Sequence, residues 1–244
     1  VRLVSAVLCL MLGAGLLGGA AVGSWLSGDV SEEAAAERRF EELRSLWREL
    51  PVDELFPPEV DGEGAGPGGA DRTWIRIAVA PDGDCEDAFD SELSEVLAPT
   101  GCQRLLRASY ADDTGTSVTT VGLLFTRADE AEMAQLRRRF ADGEFAERTD
   151  LLPRHYLPQD AERIPVPRSA WSVRVLTDVP VVAYAVTGFA DGRTTGDPQP
   201  AALATEAGAE TVAALAGLGH EAEGIADRIE RRLRKAAQRV GENA

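Results

Sequence analysis

Few side chains in this sequence can do chemistry, and they are thinly spread. His155 and His220 are the only histidines and Lys235 the only lysine. A histidine-rich metal site is therefore excluded, and His220-Glu221 lacks the second histidine that completes a zinc-protease helix. No Gly-x-Ser-x-Gly turn exposes a nucleophile, and a serine–lysine mechanism would have only Lys235 to draw on, in a solvated terminal helix. Neither histidine has a recognisable serine or cysteine setting, so both read as satisfied surface residues. In Pro81-Asp82-Gly83-Asp84-Cys85-Glu86-Asp87, the oxygens of Asp82, Asp84 and Glu86 imitate the first ligands of a calcium loop. The imitation then stops, because Asp87 holds the glycine position and Leu93 the closing acidic position. Asp82-Gly83 is also turn chemistry, and Asp84, Glu86 and Asp87 suit the start of a helix. The sequence assigns no catalytic residue, no metal ligand and no cofactor. An enzyme would need two acidic side chains converging in one cleft with raised pKa values.

The spacing that does carry an expectation is that of Cys85 and Cys102. They bracket DAFDSELSEVL, which reads as one helix rising about 16 Å. The residues from Ala98 to Cys102 can return about that distance when extended, so a disulfide can close. It would restrict the unfolded chain by about 3 kcal/mol and would persist only in an oxidising compartment. The alternative is a pair of unlinked core cysteines. The third cysteine, Cys9, reads as a buried, inert thiol.

Compartment turns on the beginning of the chain. From Leu3 to Leu26 there is no charged side chain. As a helix this run spans about 36 Å, enough to cross a hydrocarbon core of about 30 Å with some tilt. Trp25 stands where an interfacial anchor belongs. Residues 1–28 are therefore expected to be a transmembrane anchor that binds the lipid bilayer; a cleaved signal peptide, with a shorter apolar stretch, is the alternative. Gly15, Gly19 and Gly23 give two overlapping small-xxx-small spacings on one face, which permit close helix packing. After the anchor, residues 29–50 read as a stalk helix, with Ser31 as its N-cap and an apolar seam at Ala36, Phe40, Leu43, Trp47 and Leu50. The seam could continue a homodimer begun in the membrane, or pack on the chain's own domain. Arg38, Arg39, Arg44 and Arg48 after the span outnumber Arg2 before it, which places the remainder in the cytoplasm by the positive-inside rule. The cysteine pair points the other way, and an extracytoplasmic domain is the expectation taken here.

Pro51 ends the stalk, and residues 51–70 read as a Pro/Gly linker. Gly62, Gly64, Gly66, Gly68 and Gly69 do not make a phosphate loop, because they follow Pro57-Pro58 and lead into a strand. Leu55 and Phe56 could still dock on the domain. Residues 71–244 carry the fold. TWIRIAVA is a strand by alternation; RLLRASYA and SVTTVGLLFT form a hairpin around DDTGT; the helix RADEAEMAQLRRRF buries Ala131, Met133, Leu136 and Phe140. A Pro-rich excursion, with Pro153, Pro158, Pro165 and Pro167, precedes a second hairpin, AWSVRVLT with PVVAYAVTGFA. Asp191-Gly192-Arg193 reads as a turn. Two Ala-rich helices follow, at about 201–217 and 220–239, the second laying Ile225, Ile229, Leu233 and Ala236 on the sheet. The order predicts an α+β domain: an antiparallel sheet of about five strands covered by helices on one face.

The chain has 41 acidic against 25 basic residues and a net charge of -16, which argues against a nucleic-acid partner. The basic run Arg228, Arg231, Arg232, Arg234, Lys235 and Arg239 follows Glu221, Glu223, Asp227 and Glu230 on one helix, and so pairs internally. ELFPPEVDGEGAGPGGADRTW, the GCQRLLRASY and SVTTVGLLFT hairpin, and YAVTGFADGRTTGDPQPA resemble a class of single-pass membrane proteins of high-GC Gram-positive bacteria. The resemblance implies membrane location and an extracytoplasmic domain, and it transfers no catalytic residue. The function expected is a membrane-anchored, non-catalytic binding or assembly module of the cell envelope, with an envelope protein or a second copy as partner. The alternatives are a ligand-sensing domain with a pocket under the excursion at Ala141 to Pro167, and a carboxylate-dependent hydrolase.

Overall fold

The alternating segments become strands. A computed structural model describes residues 34–81, 83, 85, 87–141, 145, 148–157 and 166–243. The strands are β1 (Glu59–Gly62), β2 (Arg72–Val79), β3 (Cys102–Asp112), β4 (Ser117–Thr126), β5 (Ala170–Val175), β6 (Val181–Phe189) and the two-residue β7 (Gln199–Pro200). They form one sheet in the order β1-β2-β3-β4-β6-β5-β7, antiparallel throughout except where β7 runs parallel to β5. The class is α+β, with a seven-stranded mixed sheet in place of about five antiparallel strands. Both expected hairpins are present, and they pair through their second strands, β4 and β6.

The chain divides into Val1–Glu41, of which residues 34–41 are described and helical, and Glu42–Ala244, which carries the sheet. The anchor at 1–28, with Gly15, Gly19 and Gly23, lies outside the described residues. Among the described residues no helix is long and apolar enough to cross a membrane.

The largest departures from expectation lie at 42–70. Helix α1 (34–44) gives way to a 3-10 turn, Leu46–Arg48, and a short helix α2 (Val52–Leu55). Leu43, Leu46, Leu55 and Phe56 are buried in the core, with Trp47 and Leu50 packed against it. The second half of the stalk seam is thus spent on the chain's own domain. Nor are residues 51–70 a free linker, because β1 pairs with β2 and buries Val60. Gly62 is there for close approach: a Cβ at that position would stand 2.4 Å from the Trp74 ring.

One face of the sheet is covered by α7 (Leu218–Asn243), which extends the expected terminal helix at both ends. Its Ile225, Ile229, Leu233 and Ala236 are buried, as the periodicity predicts. Ala222, Ile225, Ile229 and Leu233 share one core with Tyr110, Val121, Leu123, Phe125 and Ala183 of the strands. The other Ala-rich segment is only two single turns, α5 (Ala201–Ala204) and α6 (Val212–Leu215); Gly208 and Gly217 adopt positive φ between and after them.

The opposite face carries Leu105, Leu124, Val182, Tyr184 and Val186, all buried. Its cover is mostly irregular. The expected helix between the cysteines is shortened to α3 (Ser91–Leu97), because Asp87 turns to φ 61° and Phe89 bridges to Pro153. Phe89 meets Tyr184 edge-on at 5.1 Å. Helix α4 (Glu130–Ala141) starts with a reciprocal capping pair, Glu132 N to Asp129 Oδ1 at 2.8 Å and Asp129 N to Glu132 Oε2 at 2.9 Å. Its Met133 and Leu136 are buried as expected, whereas Ala131 is exposed.

A buried carboxylate ties α7 to the sheet. Trp74 Nε1 donates to Glu221 Oε2 at 2.6 Å, and Arg72 Nε lies 3.0 Å from Oε1. Burial raises the Glu221 pKa, and the Trp74 and Arg72 contacts offset only part of that rise. A group raised in the folded state adds stability at low pH and loses it as pH climbs through the folded value. Glu221→Gln, which still accepts from the indole, is therefore expected to remove that decline and to change stability at pH 7 by less than about 1 kcal/mol. Glu221→Ala strands the indole N–H and the guanidinium and should cost about 2 kcal/mol. Urea unfolding from pH 4 to 8 distinguishes them; equal stability of the two variants would remove the clamp from the account.

Candidate functional site

Three chain segments converge over the ends of β4 and β6. Each is fixed by backbone hydrogen bonds before any side chain is considered. Asp90 N donates to Leu152 O at 2.9 Å, and Arg154 N donates to Ala88 O at 2.8 Å, so the segments before α3 and around 152–156 hold each other. A polar ladder seats the second of them on the sheet: Tyr156 N donates to Thr120 Oγ1 at 3.0 Å, Thr120 and Ser109 hydroxyls meet at 2.8 Å, and Ser109 Oγ donates to Tyr156 O. The third segment runs into β5, where Ser169 N donates to Thr187 O at 2.8 Å. It lies so close to β6 that a Cβ on Gly188 would stand 1.7 Å from Pro167 O. Glycine at 188 is therefore a requirement of the site, since any larger residue would displace Pro167 and Arg168.

These segments border an open cleft of about 450 Å³ lined by Asp90, Arg154, His155, Val166, Pro167, Arg168 and Pro198. That volume lies in the small-ligand range, about 300–1,000 Å³. Asp90 binds both cations, accepting from Arg154 Nε at 2.8 Å and Arg168 Nη1 at 2.6 Å. Burial pushes its carboxyl up, and the two guanidiniums outweigh that and hold it below the usual carboxylate range. His155 Nδ1 lies 3.4 Å from Thr120 Oγ1, and Nε2 is buried with no hydrogen-bond partner. Burial, then the charge of Arg168, lowers the ring to about 4 against the opposing pull of the Pro167 carbonyl. At neutral pH the imidazole is uncharged.

The sequence-predicted positions distribute as follows. Cys85 and Cys102 form a disulfide, Cα to Cα 6.1 Å, and its loop contains Asp90. Asp82, Asp84 and Glu86 lie outside the described residues, and no group of His, Cys, Asp or Glu among the described residues is arranged to hold a metal ion. Leu93, at the closing position of the imitated calcium loop, is core. Arg193 N donates to Asp191 Oδ1 at 3.1 Å, the turn expected there. On α7, Arg231 pairs with Asp227 and Arg234 with Glu230, as expected, but Glu223, Asp227 and Glu230 also reach Arg174 of β5.

His155 is the main reversal: expected as a satisfied surface residue, it is a wall of the cleft. Asp90, Arg154 and Arg168 carried no assignment at all. The signal available was the repeated Pro-Arg, Pro153-Arg154 and Pro167-Arg168, at both ends of the Pro-rich excursion. A proline locks φ and removes a backbone donor, so a cation after each is presented from a stiff, non-helical chain.

A second concavity, about 390 Å³, lies between residues 47–56, the end of β2 and the middle of β3. Trp47, Leu50, Leu55, Phe56 and Leu106 line it, and Arg48 and Arg104 stack on Trp47 at 5.0 and 4.8 Å. Comparisons of the chain with models of known families, with curated proteins and with solved structures all return no match, so the reading of either site rests on geometry.

Proposed function

We propose that the chain is a non-catalytic binding module, tethered to the outer face of a cell membrane by its uncharged amino-terminal segment, whose ligand enters the Asp90, Arg154, His155 and Arg168 cleft. The observation that carries the reading is a cleft of ligand size in whose wall Asp90 holds the guanidiniums of Arg154 and Arg168 side by side, with His155 next to them. The single carboxylate lining the cleft is neutralised by two arginines, which favours binding over acid–base work. The disulfide supports an oxidising compartment, and the uncharged run from Leu3 to Leu26 supports a tether.

Because the chain has two histidines, ring proton resonances report on the site directly. A titration with envelope metabolites should move the His155 signals and leave those of His220 in place, with a His220→Gln variant making the assignment. In the free protein the His155 ring should titrate near pH 4. A ligand that binds tightly without moving His155 would relocate the function. The Trp47 groove supports assembly as a second reading, and crosslinking from that groove in intact cells to one recurrent envelope protein would favour it.

A further inference from the structure

Resting on that reading of the cleft, we infer that its ligand is a small oxyanion, held by Arg154 and Arg168. Charge is the first reason. The lining holds two guanidiniums and one carboxylate, an excess of positive charge in a chain whose net charge is -16. Asp87 approaches Arg154 at 3.5 Å but is 93% exposed, so water screens it. Geometry is the second. Asp90 takes only Nη1 of Arg168 and, on Arg154, Nε. Each guanidinium presents five donors in a planar fork, so edges remain for a second oxyanion. Asp90 thereby preorganises the two forks without exhausting them.

Rigidity is the third reason. The Pro167 carbonyl against Gly188, the Ser169 to Thr187 bond and the Arg154 to Ala88 bond fix the backbone behind both cations, so little ordering remains to be done on binding. The favoured ligand therefore carries a carboxylate or a phosphate, and His155, which lines the same cleft, reports its arrival. A free metabolite and a lipid headgroup share that chemistry.

The test uses the full-length oxidised chain in a non-ionic detergent, with succinate, inorganic phosphate, neutral succinamide and phosphatidylglycerol vesicles as probes, read by calorimetry and by the His155 resonances. Succinate or phosphate should bind at least tenfold more tightly than succinamide, with His155 shifted. Arg168→Gln and Arg154→Gln should each lose tenfold or more while circular dichroism and the disulfide stay intact, and Arg168→Lys should lose less than Arg168→Gln. Binding to the vesicles alone supports the same chemistry with a lipid as its source. If succinamide shifts His155 as strongly as succinate, or the Gln variants bind like the parent, the oxyanion inference is overturned and the cleft still binds. If no probe moves His155 and a panel of neutral fragments does not either, the cleft itself is lost as the site.

Discussion

Arg174→Met is expected to lower the stability of the domain by about 3 kcal/mol, or about 6–12 °C in melting temperature. Arg174 stands on β5 beneath α7 and faces three carboxylates: Glu223, by a short ion pair, Glu230 at 3.2 Å and Asp227 at 3.8 Å. Burial disfavours its charge, but Glu223 and Glu230 more than compensate, so the guanidinium pKa rises above its ordinary value. A raised basic group contributes its stability at every pH below its unfolded value, which includes all working conditions. Methionine keeps the volume of the stem and removes the charge. Three acidic groups are then left beside one another with no cation from the sheet. The effect sits at the low end of the cost of breaking a buried pair because Asp227 is 38% exposed and reaches water. Acid should relieve it, since protonated carboxyls need no counter-charge. Urea midpoints at pH 7 and pH 4 provide the check. A deficit below about 0.5 kcal/mol at pH 7, or one that grows in acid, would reduce the cluster to ordinary surface pairing.

That cluster also shows where a sequence stops being readable. Glu223, Asp227 and Glu230 lie on one side of a helix whose apolar side was legible from Ile225, Ile229 and Leu233, and their i,i+4 arginine partners were legible too. The long-range partner on β5 was not. Alternation marks Arg174 as opposite in face to Val173 and Val175, and a polar residue in a strand is read by default as solvent-facing. Here that face is the one α7 covers. The same default hid β1 and β7. Two or four residues are too few to establish a period, and the glycines that read as linker chemistry around Gly62 serve instead to admit the Trp74 ring. Tertiary contact, more than local propensity, makes those edges strands.

The candidate site was less legible than the fold, for a related reason. Two hairpins, the sheet-facing stripe of α7 and the disulfide all follow from periods or spacings within one stretch of chain. Asp90, Arg154 and Arg168 come together from separate segments, and their proximity is set by backbone bonds such as Asp90 to Leu152, which no pattern encodes. What the sequence offered was a region: Arg154, His155 and Arg168 all lie in or next to the stretch from Ala141 to Pro167, where the prolines break any regular element. The chemistry of that cleft is set by the fold, because a histidine reads as surface until its surroundings are known.

Removing the Cys85–Cys102 bond is expected to act on both levels, lowering stability by about 3 kcal/mol and loosening the cleft. The bond closes a 17-residue loop, and the stabilisation comes chiefly from the unfolded chain, whose freedom that loop restricts. In the folded state the ends of the loop are also held from just outside it, and its middle is packed in the core. Gly83 and Leu105 exchange backbone bonds at 2.9 and 3.2 Å, and Phe89, Leu93 and Leu97 are buried. The pair Cys85→Ser, Cys102→Ser should therefore still fold, with an earlier urea midpoint. Asp90 is the member of the loop that reaches the cleft, so greater freedom there blurs the positions of Arg154 and Arg168 together. Ligand affinity at the cleft should fall several-fold in the serine pair and in the reduced parent alike. Midpoints and affinities of the oxidised, reduced and serine forms separate the contributions. If reduction moves neither, the sulfurs are not bonded in solution. If it moves the midpoint and leaves affinity untouched, Asp90 is held by Leu152 and the arginines alone, and the loop serves stability without serving the site.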